Sequence, residues 1–219
     1  MQQIDSDRVL VTGNTFIKLY SILSGKELVG RSNGSRNFKP EIVENRLVYL
    51  PTSEGLVTYV LPHLEIRQII MPGAMTYFAK ILYNLNSVLF MNKEELHLFE
   101  VESCNVTNLQ SVHQGWIGCA EVSKDQTFFF TTDFKNNIFK WDTKSQKVKS
   151  SLSLSDRASC LLICEDLGLV LVGLISGVID MVAIQDFFVY SSMPTHSNRV
   201  TRIIQPFSNC LISCSEDQS

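Results

Sequence analysis

Three short runs in succession, Ala158–Cys164 (ASCLLIC), Leu169–Ile175 (LVLVGLI) and Val178–Ala183 (VIDMVA), decide how this chain folds. Each is too short for a globular helix and rich in Val, Ile and Leu. They are separated by the turn-forming stretches Glu165–Gly168 and Ser176-Gly177, so they read as consecutive antiparallel strands. The first two are apolar at consecutive rather than alternate positions. A strand of that kind needs both faces covered, which a one-sided meander does not supply.

Working outward, the middle run has counterparts along the whole chain. β-rich runs followed by a polar turn and a second such run occur at Val9–Thr12, Leu47–Leu50, Val88–Met91, Phe128–Thr131, Leu169–Val172 and Leu211–Ser213. Their starts are spaced by 38, 41, 40, 41 and 42 residues. Second strands follow at Phe16–Tyr20, Leu56–Val60, Leu96–Val101, Ile138–Asp142 and Val178–Ala183. Third ones follow at Lys26–Val29, Glu65–Met71, Lys147–Leu152 and Phe187–Ser191. Preceding strands are predicted at Tyr77–Leu82, Ile117–Val122, Ala158–Cys164 and Val200–Gln205. A four-stranded unit of about 40 residues, repeated and covered on both faces, predicts an all-β fold: a β-propeller of four-stranded antiparallel blades. About five repeats are present, as one domain over 1–219 with approximate units 1–35, 36–75, 76–112, 113–154, 155–195 and 196–219. The first unit is expected to begin near its second strand and the last to stop after its second, at Asp217–Ser219. Such a ring would be incomplete and leave open strand edges, as in an excerpt of a longer protein or complex.

The fourth unit carries a recognisable pattern: His113-Gln114-Gly115-Trp116-Ile117, then Thr131-Thr132, then Ile138-Phe139-Lys140-Trp141-Asp142. The last unit begins the same way, with His196-Ser197-Asn198-Arg199-Val200 and Ile212-Ser213-Cys214-Ser215-Glu216-Asp217. In this the chain resembles the WD-repeat propellers. The resemblance implies a hydrogen-bonded lock in each such blade, formed by a His, a Ser or Thr, an Asp and the Trp. His113, Thr131 or Thr132, and Trp141 match it in the fourth unit, and His196, Ser215 and Asp217 in the last. Lys135 stands where the family has its Asp, and Asp133 is displaced, so the lock is expected to be incomplete. Units two, three and five lack both the His and the Trp-Asp pair.

The resemblance also places the residue three after the His on a partner-binding face. Unit by unit this gives Arg36 or Asn37, then Thr76, Trp116, Arg157 and Arg199. Arg and Trp are enriched among residues that dominate interface energetics, and Arg pairs bidentately with carboxylate and phosphate. The expected function is therefore a non-enzymatic protein–protein interaction scaffold that binds an acidic or phosphorylated peptide. The phosphoinositide-binding propellers carry an Arg-Arg pair, which this chain lacks.

Competing function classes find little support. Gly30-Arg31-Ser32-Asn33-Gly34 matches the G-x-S-x-G hydrolase elbow, and a propeller hydrolase using Ser32 is the alternative reading. That elbow needs a strand turning into a helix, and Pro40 with no helical period follows here. No nucleotide or metal motif occurs, so no cofactor and no metal site are expected. The six Cys include no C-x-x-C pair. Cys160/Cys164 and Cys210/Cys214 sit in apolar runs, where Cys is a small buried hydrophobe. Reduced thiols and the lack of an apolar leader in the first ten residues suit a cytoplasmic or nuclear protein. A net charge of -3 argues against general nucleic-acid binding. The longest uncharged apolar stretch, Leu167–Ile179, is 13 residues, short of the roughly 20 a spanning helix needs, so no membrane insertion is expected.

Overall fold

The computed structural model describes residues 1–93, 95–109, 112–208 and 210–218. It is built from small antiparallel sheets, each from strands consecutive in sequence. Two compact units are present, Met1–Asn108 and Leu109–Ser219.

The first unit holds three four-stranded blades. Blade one comprises β1 (Gln2–Gln3), β2 (Arg8–Thr12), β3 (Phe16–Ser21) and β4 (Glu27–Ser32). Blade two comprises β5 (Glu41–Val43), β6 (Leu47–Thr52), β7 (Gly55–Val60) and β8 (Glu65–Ile70). Blade three comprises β9 (Phe78–Leu82), β10 (Ser87–Asn92), β11 (Glu95–Glu100) and β12 (Val106–Asn108). The second unit holds blade four, of β13 (Ile117–Val122), β14 (Phe128–Asp133), β15 (Asn137–Asp142) and β16 (Lys147–Ser153). Blade five follows, of β17 (Ala158–Cys164), β18 (Leu169–Leu174), β19 (Val178–Ala183) and β20 (Val189–Pro194). A two-stranded sixth sheet, β21 (Val200–Phe207) and β22 (Cys210–Ser215), completes this unit.

The core lies between blades, not within them. In blade two, Val48, Leu50, Val57 and Tyr59 pack with Leu10, Ile17 and Leu19 of blade one. The alternate residues Tyr49 and Leu56 pack with Ala79, Val88 and Phe90 of blade three. Blade five repeats the pattern: Val170, Val172 and Leu174 face Phe130 and Ile138 of blade four, while Leu171 and Ile179 face Val200 and Ile203 of the sixth sheet. The consecutive apolar residues of β18 thus divide between two neighbours, as expected for strands covered on both sides.

Several boundaries differ from the sequence reading, for local reasons. Blade one begins with a short first strand, Gln2–Gln3, paired with Leu10 and Val9; two polar residues carry no apolar signal. β4 extends to Ser32, which pairs with Phe16, so the Gly30–Gly34 motif starts in a strand. The first strand of blade two and the last of blade three have three residues each, too few to show a period. The last strand of blade five starts at Val189 rather than Phe187. Phe187 takes a positive φ of 53° in the preceding turn and stacks on Phe130 at 5.9 Å.

Candidate functional site

Strand direction alternates within a blade, so the chain enters the first strand and makes its second-to-third turn at the same end. Three-centre lock geometry is found at that end in blade four. Thr131 is fully buried; its Oγ1 accepts from Trp141 Nε1 at 2.8 Å and lies 2.8 Å from His113 Nε2. The Trp141 indole stacks on Phe129 on one side and His113 on the other, at 5.5 and 5.8 Å. Burial lowers His113 to a pKa of about 4, against a smaller opposing effect of the Asp133 charge. The ring is therefore neutral near pH 7, and the direction of its hydrogen bond with the Thr131 hydroxyl follows the imidazole tautomer.

Asp133 is buried too, but its carboxylate turns to the strand connections. Oδ2 accepts from the Gln114 amide at 2.9 Å, and Oδ1 from the amides of Lys135 and Asn137 at 3.0 and 2.9 Å. His113 Nδ1 is left without a hydrogen-bond partner among the described residues. The sixth sheet differs. His196 Nε2 lies 2.8 Å from Ser213 Oγ, and its Nδ1 lies 3.2 Å from Asp217 Oδ2. The hydroxyl that meets the ring is thus Ser213, not Ser215. Ser215 donates to the Asn198 carbonyl at 2.9 Å and accepts from the Asp217 amide at 3.2 Å. Ser213 and Ser215, two apart on one strand, share a face, and only Ser213 is level with the imidazole.

The residues expected on the binding face divide as follows. Four occupy one structural position, just before or near the start of a sheet, where the carbonyl accepts from an amide following the sheet's second strand. Arg36 O accepts from Ser53 N at 2.8 Å, Trp116 O from Phe134 N at 2.9 Å, Arg157 O from Ile175 N at 3.0 Å, and Arg199 O from Glu216 N at 3.0 Å. Thr76 does not belong with them. It is fully buried, and its hydroxyl is bonded to the amide and carbonyl of Thr52 at 3.1 and 3.3 Å, so it ties blade three to blade two. Tyr77, the next residue, immediately precedes β9 and donates its hydroxyl to the Lys93 carbonyl at 2.6 Å.

In the second unit two of these side chains, Trp116 and Arg157, gather around a residue the sequence reading missed, Phe134. Trp116 and Phe134 are exposed, at 44% and 43%, with ring centroids 6.1 Å apart. The Arg157 guanidinium lies 4.5 Å from the Phe134 centroid, a favourable cation–π geometry, and makes no ion pair among the described residues. Arg199 pairs with Glu216 at 3.6 Å, both about half exposed, a contact worth at most about 1 kcal/mol. In the first unit Arg36 lies 5.4 Å over Phe38; Asn37 instead bonds inward, to the carbonyls of Gly13 and Phe16 at 3.0 Å. Phe134 carried no signal of its own in the sequence, because a turn Phe beside Lys135 and Asn136 reads as a loop residue.

Ser32 ends an extended strand, is exposed, and donates to the Thr15 carbonyl at 3.2 Å. No helix follows it to build an elbow. Among the described residues there is no cluster of three His, Cys, Asp or Glu able to hold a metal ion, and no helix is long and apolar enough to cross a membrane.

Comparison with known proteins gives a fold. No sequence-family profile matches the chain, and no curated protein matches it. Among solved structures it is similar to the computationally designed Ika8 protein, with a TM-score of 0.79 at 13% identity, over 96% of this chain and 68% of that one. It is also similar to a chain of the Mitotic Checkpoint Complex, with a TM-score of 0.81 at 13% identity, over 95% and 67%. The fold is a β-propeller. At such low identity the likeness carries architecture and no activity.

Proposed function

We propose that this chain is a non-enzymatic protein–protein interaction module of WD-repeat type. It binds an acidic or phosphorylated peptide segment on the face formed by Trp116, Phe134, Arg157 and Arg199. The observation that carries this reading is the Trp116–Phe134–Arg157 group: two exposed aromatic rings with a guanidinium laid on one of them that makes no ion pair among the described residues. Exposed aromatic area on a soluble surface costs solubility and marks a docking patch. A stacked guanidinium keeps its donors free for a bidentate anion while its orientation is held by the ring. The position is also suited to function, because these loops project from blades held rigid by the interblade core.

The test is a peptide array carrying matched acidic, phosphorylated, neutral and basic peptides. The parent chain should favour the acidic or phosphorylated set. A Trp116→Ala/Arg157→Ala variant should lose about tenfold or more in affinity. An unchanged binding profile in that variant, or no preference for negative charge, refutes the assignment.

A further inference from the structure

The opposite end of the second unit carries a second surface of different chemistry. A groove of about 780 Å³ opens between blades four and five, where the first-to-second and third-to-fourth turns gather. That volume lies within the roughly 300–1,000 Å³ of ligand pockets. Its base includes Phe128 and Ile184, and its rim includes Leu167, Phe188 and Tyr190, exposed at 50%, 47% and 68%. Three carboxylates line it: Asp125, Glu165 and Asp186.

Contacts to residues that line the groove cross between the two blades. Lys140 of blade four donates to the Ile184 carbonyl of blade five at 2.9 Å, with its ammonium 5.2 Å from the Phe128 ring centroid. The Lys124 amide donates to the Glu165 carboxylate from the other side. Lys140 is thus committed to the groove wall. Asp125, exposed in its turn, accepts from the Thr127 amide at 3.0 Å and from the Ser123 and Thr127 hydroxyls, which hold its carboxyl below the usual range. Asp186 is exposed in the turn between β19 and β20.

We propose that this groove docks a short peptide segment of a partner protein in which an apolar or aromatic side chain is flanked by Lys or Arg. The apolar residue inserts against Phe128, Phe188 and Tyr190, and the flanking cations meet Asp125, Glu165 and Asp186. Charge complementarity selects the occupant: three carboxylates around the groove favour flanking cations and repel an acidic segment. The surface is independent of the Trp116 face, so either assignment can fail alone.

Fluorescence anisotropy tests it with two labelled peptides in a Gly-Ser background, one with a central Phe flanked on both sides by Lys and one flanked by Glu. The Lys-flanked peptide should bind the full chain, and the Glu-flanked peptide about tenfold more weakly or less. Tyr190→Ala and Asp186→Lys, both at exposed positions, should each weaken the Lys-flanked peptide by roughly five-fold or more while melting like the parent. Trp116→Ala should leave it unchanged. Equal binding of the two peptides, binding of neither, or parent-like affinity in both groove variants overturns the proposal. A concentration-dependent dimer that Tyr190→Ala abolishes also overturns it, by assigning the groove to a second copy of the chain.

Discussion

Replacing Thr131 with Val tests whether the blade-four lock is a source of stability. Val keeps the shape and removes the hydroxyl that joins Trp141 and His113, both at 2.8 Å. All three residues are buried: Trp141 is 1% exposed, Thr131 0% and His113 9%. The substitution therefore leaves an indole N–H and an imidazole nitrogen without partners, and water has no room to replace the hydroxyl. A buried polar group left unsatisfied costs about 1–3 kcal/mol, so the expected loss is about 3 kcal/mol. In a chain of this size that lowers Tm by roughly 6–12 °C. Thr131→Ser keeps the hydroxyl and deletes one methyl, costing about 1 kcal/mol. The chain has two Trp. In a Trp116→Phe background, tryptophan fluorescence during urea unfolding reports Trp141 alone. A Thr131→Val loss no greater than that of Thr131→Ser would show that the hydroxyl contributes nothing and that Trp141 is held by packing alone.

The other expectations concern the same elements. His113, held neutral by burial with a pKa of about 4 against an ordinary 6.5, binds fewer protons folded than unfolded between those values. Its contribution is full above pH 6.5 and is lost as pH falls toward 4, by about 3 kcal/mol in all; His113→Leu should flatten that part of a stability–pH curve measured in urea. Gly177 sits at φ +88° with the His196 backbone carbonyl directly against any added Cβ. Gly177→Ala should therefore cost about 2 kcal/mol or more in thermal denaturation, whereas Gly25→Ala, with open space around it, should cost only its positive-φ strain of about 1 kcal/mol. Cys164 is buried, and desolvation raises its thiol pKa. Iodoacetamide followed by mass spectrometry should modify the exposed Cys104 and Cys214 and reach Cys164 only on unfolding.

How much of this was legible from residues follows from range. The repeat, the strand order and the two-sided burial of runs such as Leu169–Leu174 are written locally: strand period, turn residues and apolar density each need only a few neighbours. The same local signal fails where a strand is two or three residues long, as at Gln2–Gln3 and Glu41–Val43. It also placed Ser215 rather than Ser213 in the lock, and Thr76 on the rim although it is buried. Strand residues two apart share a face, and a one-residue shift moves a side chain from the rim to the interior. Which of them meets an imidazole or solvent depends on register against another strand, which no single run contains.

The sequence alone therefore determined that the chain is built from repeated four-stranded blades covered on both sides, because apolar period and turn chemistry are short-range properties. Only the tertiary structure decided which side chains those blades present together. It laid Arg157 on Phe134 beside Trp116 at one end and gathered Phe128, Phe188 and Tyr190 with three carboxylates at the other. Residues as far apart as Asp125 and Tyr190 become neighbours only when adjacent blades pack through their shared core.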